Sequence, residues 1–286
     1  MLDRPIAAFD IETIPDPSVG RRIMGLSGDD AEIVRAMVQA RLEQTDGLKE
    51  YPTLPHQRIV MIGLAWLDPE SGRFKLGMSG GEGFDEREHL EGFFKLFRAR
   101  RPPRLVSWNG GGFDLPVIRY RSMLHGVSAP ELYQQTGEWK WNNYQNRFHD
   151  MHLDLMDVLS GYGASTRVGL GTISPLLGLA GKSFLERPIY EHILRDEAPL
   201  VREYCKMDVL ETLLLYLSWA HHCGKLGEEA LLQHVETIRA ALALEPYEGW
   251  KGIVARLASW PPWAQPRGEG GKAIGSGPSE VEPSDP

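Results

Sequence analysis

The pattern of hydrophobic and polar residues predicts strands at five places along the chain. Short apolar runs rich in β-branched and aromatic residues, bounded by turn-forming residues, are typical of strands. The first three runs would form an antiparallel meander, and two more follow later. In chain order they are IAAFDI, RIVMIGLAWLD, FKLGMSG, RLVSWN and HLDLMDVL.

Apolar residues at helical spacing predict the helices between and after these strands. Asp29 or Asp30 is placed to cap the first helix, and Asp85, with Glu88 three residues on, to cap the second. The predicted helices lie in DDAEIVRAMVQARLEQ, FDEREHLEGFFKLFRARR, FDLPVIRYRSMLHG, LGTISPLLGLAG, the long amphipathic stretch EAPLVREYCKMDVLETLLLYLSWAHHCG and residues 228–243.

Strands followed by alternating strands and helices predict an α/β domain with a mixed central sheet flanked by helices. The helical pattern of about residues 18–56 follows the first strand as an insertion. We expect one domain over residues 1–263, with Trp260-Pro-Pro-Trp263 packed on it. Residues 264–286 are rich in Pro, Gly and Ser and cannot bury enough apolar area to offset their ordering entropy, so they predict a disordered tail.

Composition narrows the class of protein. Two cysteines are too few for a disulfide framework, and the N-terminus has no signal-peptide pattern. No apolar run reaches the roughly 18 residues of a membrane span. We therefore expect a cytoplasmic protein without a membrane partner. The net charge of −8 argues against a protein that coats nucleic acid non-specifically, but an enzyme whose metal ions supply positive charge stays open.

Two acids interrupt the first predicted strand. Asp10 and Glu12 are separated by Ile11, so on a strand they share one face. Burying two like charges without a counter-charge is costly. Either the strand ends there and both acids reach solvent, or a cation neutralises them.

Two further acids lie at element boundaries or inside apolar elements. In SWNGGGFDLPVI, Asp114 opens a helix after a strand and three glycines, where it is either an ordinary cap or part of a ligand site at the sheet edge. In EYCKMDVLETLLLYL, Tyr204 and Asp208 are four residues apart and share a face of an apolar helix. Alone, Tyr204 would be a core tyrosine.

The ordered set FDIET, Asn-x-x-x-Phe-Asp in NGGGFD and Tyr-x-x-x-Asp in YCKMD resembles the three exonuclease motifs of the DEDD superfamily. The tyrosine of the third motif resembles the one that distinguishes the DEDDy branch of this superfamily. The set resembles most closely the stand-alone predicted 3′–5′ exonucleases related to the proofreading domain of family B DNA polymerases. The resemblance covers about residues 5–222 and implies a ribonuclease-H-like fold.

The resemblance also implies a mechanism. Two Mg²⁺ or Mn²⁺ ions would be held by Asp10, Glu12, Asp114 and Asp208, oxygen ligands that such hard cations prefer. Asp10 would bridge both ions, Tyr204 would orient the attacking water, and nucleoside 5′-monophosphates would leave from the 3′ end of a single strand.

Four residues match family positions that hold the substrate. Thr13, Asn109 and Phe113 would contact the 3′-terminal nucleotides, and Lys182 would approach the scissile phosphate. From the residues alone, the alternatives are a strand-end hydroxyl, a turn asparagine, a core phenylalanine and a solvated lysine.

Two other segments carry suggestive side chains. In HDMHLDLMD, residues such as His152 and Asp154 could suggest a second metal site, but edge and turn roles are favoured. In EWKWNNYQNR, aromatic residues alternate with Lys140 and Arg147, which predicts either a stacking surface for single strands or an aromatic loop that covers the core.

Two other functions fit parts of the pattern. The motifs do not separate DNA from RNA, so a 3′–5′ exoribonuclease of the same superfamily is the first alternative. A non-catalytic nucleic-acid-binding module is the second, and the complete set of acids counts against it. DNA remains the favoured substrate.

Overall fold

A five-stranded mixed sheet forms the centre of the protein. The structure is a computed structural model that describes residues 2–80, 85–181 and 185–264. The strand order is β3–β2–β1–β4–β5. The bounds are β1 Ile6–Pro15, β2 Gln57–Asp68, β3 Arg73–Met78, β4 Arg104–Ser107 and β5 His152–Asp154.

The first three strands form the predicted antiparallel meander. Strand β4 pairs in parallel with β1, and β5 pairs in parallel with β4. Strand β1 pairs with β4 only from Ile6 to Ala8, although it continues to Pro15. The second half of β1 therefore extends beyond β4. This half carries Asp10 and Glu12.

Helices cover both faces of the sheet. In the described ranges they are α1 Pro17–Met24, α2 Asp30–Gln44, α3 Glu86–Lys95, α4 Asp114–His125, α5 Leu155–Leu159, α6 Leu170–Leu176, α7 Ile189–Leu194, α8 Ala198–His222, α9 Glu228–Leu242 and α10 Trp250–Leu257. Helices α1 and α2 lie between β1 and β2, where the helical pattern predicted an insertion. Asp29 and Asp85 cap α2 and α3, as their positions predicted.

The alternation of β1 separates two hydrophobic cores. Ile6 and Ala8 pack in the core that contains α8. Ala7, Phe9 and Ile11 point to the opposite face, where they pack with residues of α3 and α4. Because side chains alternate along a strand, Asp10 and Glu12 belong to the face that α8 covers.

Two sequence predictions were wrong in detail. HLDLMDVL is a strand only to Asp154, because the Asp154 carboxylate accepts the N–H groups of Met156 and Asp157 and so starts helix α5. Helix α8 is not amphipathic in its middle, since every residue from 207 to 217 is buried. Helices α9 and α10 supply buried residues to the same core, so they cover part of α8 in addition to the sheet.

The segment after α10 docks on the domain, as predicted. The Trp260 indole is buried and its Nε1–H donates to the Leu177 carbonyl at 2.8 Å. The Trp263 ring stacks on His221 with 4.7 Å between ring centroids. The predicted disordered tail lies, apart from Ala264, outside the described residues. None of the described helices has the length and apolarity that crossing a bilayer requires.

A buried ion-pair network ties the end of β1 to α3 and α4. Arg121 of α4 donates to both Glu86 oxygens, at 2.7 and 2.6 Å, and to Asp16 at 2.7 Å. A β-bulge shifts the β1–β2 register after Glu12, and Glu86 also accepts the Ile59 N–H there at 2.7 Å. Burial alone would raise the pKa of Asp16, but hydrogen bonds from Ser18 and Arg121 outweigh it and hold that pKa below its usual range.

We predict that Arg121→Met lowers the free energy of unfolding by about 3–5 kcal/mol, because two buried carboxylates lose their counter-charge. Urea unfolding at neutral pH measures this loss. The control is Arg87→Met, which breaks an exposed pair with Glu91 and should cost less than about 1 kcal/mol. Because the pKa of Asp16 is lowered on folding, its stabilising contribution is present above its unfolded pKa and disappears as pH falls through the folded value. Equal costs for the two variants would contradict a structural role for the network.

Candidate active site

Helix α8 approaches the end of β1 closely enough to place its side chains among the acids. Gly63 of β2 lies opposite Asp10, and a Cβ there would be 2.7 Å from the Cys205 sulfur. Only glycine allows this approach. As a result, one ligand atom each of Asp10, Glu12 and Cys205 lie within 4.8 Å of one another.

Asp208 follows Cys205 by one helical turn and is only 1% exposed. Its charge, like those of Glu12 and Asp10, acts on the Cys205 thiol. Burial raises the pKa of this thiol well above its usual range, and the three carboxylates add to the effect. The thiol therefore stays neutral and fills space between the strand and the helix.

Asp114 reaches β1 from the other side. It is the first residue of α4, and its Oδ1 accepts the Ile11 N–H at 3.0 Å. Ile11 lies beyond the part of β1 that pairs with β4, so the carboxylate takes the place of a neighbouring strand. This hydrogen bond holds Asp114 beside Asp10 and Glu12.

The glycine turn before α4 depends on close contacts. Asn109 adopts φ 66°, a left-handed conformation that asparagine tolerates better than most residues. A Cβ on Gly110 would lie 2.4 Å from the Ser107 hydroxyl, so a side chain would push the turn away. Asp154 accepts the N–H groups of Asn109 and Gly111, both at 2.9 Å. The turn that leads into Asp114 is thus held from β5.

These elements enclose an open cleft of about 560 Å³. Its lining includes six of the predicted site residues, which are Asp10, Glu12, Thr13, Asn109, Phe113 and Asp114. Tyr51, Trp108, Met156, Leu170 and Ile189 are among the others. Among the described lining residues there is no Lys, Arg or His.

The electrostatics of the cleft are dominated by like charges. Burial raises the pKa of Asp114 well above its usual range, and the neighbouring charges of Asp10 and then Asp154 act in the same direction. The Ile11 N–H opposes this shift. Such a group of carboxylates in a cleft without a basic lining residue is the environment that a bound cation would stabilise.

The donor set fits divalent metal ions. Asp10, Glu12 and Asp114 line the cleft, and Asp208 stands behind them on α8. Their carboxylate oxygens suit Mg²⁺ or Mn²⁺, and the neutral thiol of Cys205 does not compete for hard cations. The residues present therefore fit the metal site that the motifs predicted, while the role of each residue stays a prediction.

The remaining predicted residues are placed as follows. Tyr204 is half-buried on α8, next to Cys205 and one turn before Asp208. Thr13 is buried directly after the β-bulge. Phe113 packs partly in the core, as one interpretation predicted, and partly lines the cleft, where its contact with nucleotides stays a prediction. Lys182 lies outside the described residues.

Sequence reasoning missed two residues of the cleft wall. Tyr51 comes from the insertion, and its hydroxyl accepts the Ile189 N–H at 3.2 Å. Burial raises the pKa of Tyr51, and the charge of Glu12 adds to this shift, which places the ring near the acids. The buried Trp108 Nε1 has no hydrogen-bond acceptor among the described residues. Trp108 lies in the apolar run RLVSWN that predicted a strand, whereas no local pattern distinguished Tyr51.

His152 and Asp154 of the segment HDMHLDLMD have structural roles, which is the interpretation that the sequence pattern favoured. His152 Nε2 lies 2.8 Å from the Ser107 hydroxyl between adjacent strands. Burial lowers the pKa of His152 to about 4, so the ring is neutral near pH 7. The Asp154 carboxylate accepts backbone N–H groups from the glycine turn before α4 and from the first turn of α5.

Comparisons with known proteins assign the chain to a family. A family described as "Predicted 3'-5' exonuclease related to the exonuclease domain of PolB" matches residues 49–256. The DNA polymerase epsilon catalytic subunit of Yarrowia lipolytica is 24% identical over 143 residues, and that of Schizosaccharomyces pombe is 22% identical over 142. Each match covers 48% of this chain but only 6% of the relative.

A solved structure also resembles the chain. The family B DNA polymerase from the hyperthermophilic archaeon Pyrobaculum calidifontis matches with 19% identity and a TM-score of 0.45. The match covers 85% of this chain and 29% of that one.

We predict that the two cysteines differ strongly in reactivity. Cys205 is fully buried with a raised pKa, whereas Cys223 is exposed, and the thiolate is the reactive form. Titration with 5,5′-dithiobis(2-nitrobenzoate) should detect one thiol in the native protein and both after unfolding. Cys223→Ser is the control and should remove the native signal. A fast native reaction in that variant would show that α8 does not seal the end of β1.

Proposed function

The chain belongs to the family of predicted 3′–5′ exonucleases related to the exonuclease domain of PolB, and from that premise we propose a specific reaction. The protein hydrolyses single-stranded DNA from its 3′ end in a metal-dependent reaction that releases nucleoside 5′-monophosphates. The single observation that carries this proposal is the convergence of Asp10, Glu12 and Asp114 in one cleft backed by Asp208 on α8.

The topology supports a ribonuclease-H-like assignment. Three antiparallel strands are followed by two that add in parallel beside β1, in the order 3-2-1-4-5. This arrangement brings the end of β1, the start of α4 and one face of α8 together. The three motifs then meet at one place although they are far apart in sequence.

Asp10, Glu12, Asp114 and Asp208 would hold the metal ions. When bound, two Mg²⁺ or Mn²⁺ ions would stabilise negative charge on the attacking and leaving oxygens. In the hydrolysis, water forms a bond to phosphorus and the P–O3′ bond breaks. The released 3′ oxygen takes up a proton, and the nucleoside 5′-monophosphate departs.

The protein's own residues position the reactants. The Tyr204 hydroxyl would orient the attacking water, because a phenol hydroxyl both donates and accepts hydrogen bonds. Thr13 and Asn109 would contact the terminal nucleotide, and the exposed part of Phe113 would stack on a base. The Ile11 N–H keeps Asp114 fixed while substrate enters.

DNA is the favoured substrate because both curated relatives are catalytic subunits of DNA polymerases. The chain spans only 6% of their length, so their wider activities are not carried over. A cytoplasmic location is part of the proposal, and the two free cysteines support a reducing compartment.

We predict that Mg²⁺ or Mn²⁺ supports shortening of 5′-labelled single-stranded DNA from its 3′ end, and that EDTA abolishes it. Denaturing gels of 5′- and 3′-labelled oligonucleotides distinguish the polarity. The control is the double variant Asp10→Asn, Glu12→Gln, which keeps the shape of both side chains and removes their charges. Degradation from the 5′ end, or full activity in chelator, would refute the proposal.

The same assay separates the alternatives. RNA oligonucleotides of matched sequence should be degraded more slowly than DNA. Faster degradation of RNA would identify an exoribonuclease instead. Binding of either substrate without any metal-dependent hydrolysis would identify a non-catalytic module.

We predict different effects for the two residues of the third motif. Asp208→Asn should nearly abolish turnover, because it removes a negative charge from the metal site. Tyr204→Phe should lower kcat by about 10²–10⁴-fold and change KM little, because it removes one positioned hydroxyl. Steady-state kinetics at saturating Mn²⁺ measure both effects.

The control for Tyr204→Phe is Tyr216→Phe on the same helix. The Tyr216 hydroxyl accepts from Arg104 in the core, away from the cleft, so its loss should affect stability rather than kcat. Wild-type kcat in Tyr204→Phe would show that Tyr204 is a packing residue.

A further inference from the structure

Two aromatic rings and two arginines form an exposed cluster close to the cleft. Phe148 is 65% exposed and Tyr162 37%, and their rings meet edge to face with 4.7 Å between centroids. The Arg147 guanidinium carbon lies 5.7 Å from the Phe148 centroid and 5.3 Å from that of Tyr162. We call Arg147, Phe148, Tyr162 and Arg167 the aromatic–arginine platform.

One carboxylate organises the platform. Asp157 binds Arg147 at 2.7 Å through one oxygen and Arg167 through the other. Asp157 is mostly buried, whereas the arginine side chains are 49% and 48% exposed. A single carboxylate facing two guanidinium groups leaves one positive charge in excess, and both cations remain accessible to a ligand.

The loop that carries Tyr162 is built to present its ring outward. Gly161, Tyr162 and Gly163 have φ values of 60°, 58° and 92°, a left-handed run that side chains other than glycine and asparagine avoid. The Tyr162 N–H donates to the Asp157 carbonyl at 2.6 Å. The backbone at Tyr162 is thus fixed by the same residue that anchors the arginines, and the side chain of Tyr162 is not part of the hydrophobic cores.

The platform is continuous with the cleft along the chain. Met156 lines the cleft and immediately precedes Asp157, while Gly169 lines it two residues after Arg167. The segment 157–168 therefore leaves the cleft wall and returns to it. A single strand with its 3′ end among the acids could cross this rim as it leaves.

We propose that the aromatic–arginine platform binds single-stranded DNA upstream of the 3′-terminal nucleotides. Bases would stack on Phe148 and Tyr162, and phosphates would contact Arg147 and Arg167. The proposal rests on the proposed function, which places the 3′ end of the strand in the cleft. Since the described lining of the cleft contains no basic residue that could attract the phosphate backbone, basic residues outside the cleft would supply this attraction. The proposal gives Arg147 a role in a stacking surface, whereas Trp139 and Tyr144 of the segment EWKWNNYQNR pack on the core, as the alternative interpretation of that segment predicted.

Binding measurements without hydrolysis test this surface. Fluorescence anisotropy in EDTA would compare 5′-fluorescein dT4, whose length limits its contacts beyond the cleft, with dT12, which is long enough to cross the rim. Phe148→Ala removes one ring, and Tyr162→Asn removes the other while tolerating the left-handed backbone. Each should raise the Kd for dT12 by about fivefold or more, with a much smaller change for dT4. Thermal unfolding checks that each variant is folded.

Arg147→Gln tests the charged part of the platform. Removing one phosphate interaction from a single-strand complex should reduce the slope of log Kd against log salt by about 0.7. The matched control is Trp141→Ala, because Trp141 is 77% exposed and Lys140 lies over its ring at 4.8 Å, yet it lies outside the platform. This variant should bind dT12 like the wild type.

The outcomes separate this inference from the proposed function. Equal losses for dT4 and dT12, equal losses in Trp141→Ala, or wild-type affinity in both ring variants would each overturn the platform. If such a protein still shortened DNA with Mn²⁺, the proposed function would stand. Weakened dT12 binding in the ring variants, with no hydrolysis by the wild type, would support the platform and refute the exonuclease activity.

Discussion

The packing of helix α8 across the end of strand β1 is the contact on which the site depends. It adds the charge of Asp208 to those of Asp10 and Glu12 on β1, and two unit charges about 5 Å apart repel by roughly 3 kcal/mol at an effective dielectric constant of 20. The same helix buries Leu210, Leu213, Leu214 and Leu217 completely. Each buried leucine stabilises the fold by roughly 1.5–3 kcal/mol, so apolar burial outweighs the repulsion and holds the acids in place.

The acidic residues near the end of β1 lie in two different electrostatic environments. Near the end of β1, Arg121 lies between the carboxylates of Glu86 and Asp16 and binds both through three hydrogen bonds of 2.6–2.7 Å. In the cleft, the described lining offers carboxylates without a basic residue. Paired charges fix the scaffold, and bound cations would stabilise the concentrated negative charge of the cleft.

A similar division separates chemistry from substrate binding. An acidic cleft suits metal ions but repels the phosphate backbone of a nucleic acid. Tyr162 and Arg167 lie on the segment that leaves the cleft wall at Met156 and returns at Gly169, and Arg147 and Phe148 contact this segment through Asp157 and Tyr162. Placing the attractive surface outside the acidic cleft allows both requirements to be met by a chain whose net charge is −8.

Local pattern alone determined which residues share a face and where most elements begin. Alternation put Asp10 and Glu12 on one side of β1, helical spacing put Tyr204 above Asp208, and Asp85 capped α3. These features involve residues within four positions of one another, and periodicity is a local property. The motif order further predicted which segments would meet.

Only the tertiary structure decided the contacts between distant segments. Cys205 lies among the acids because Gly63 admits the helix, and Tyr51 reaches the cleft from an insertion more than a hundred residues away from Ile189. Packing of α9 and α10 into the same core helps to bury the middle of α8 on all sides, where an amphipathic helix was expected. Periodicity reports which side of an element is buried, but the partner that buries it is chosen by packing and hydrogen bonding across the whole domain.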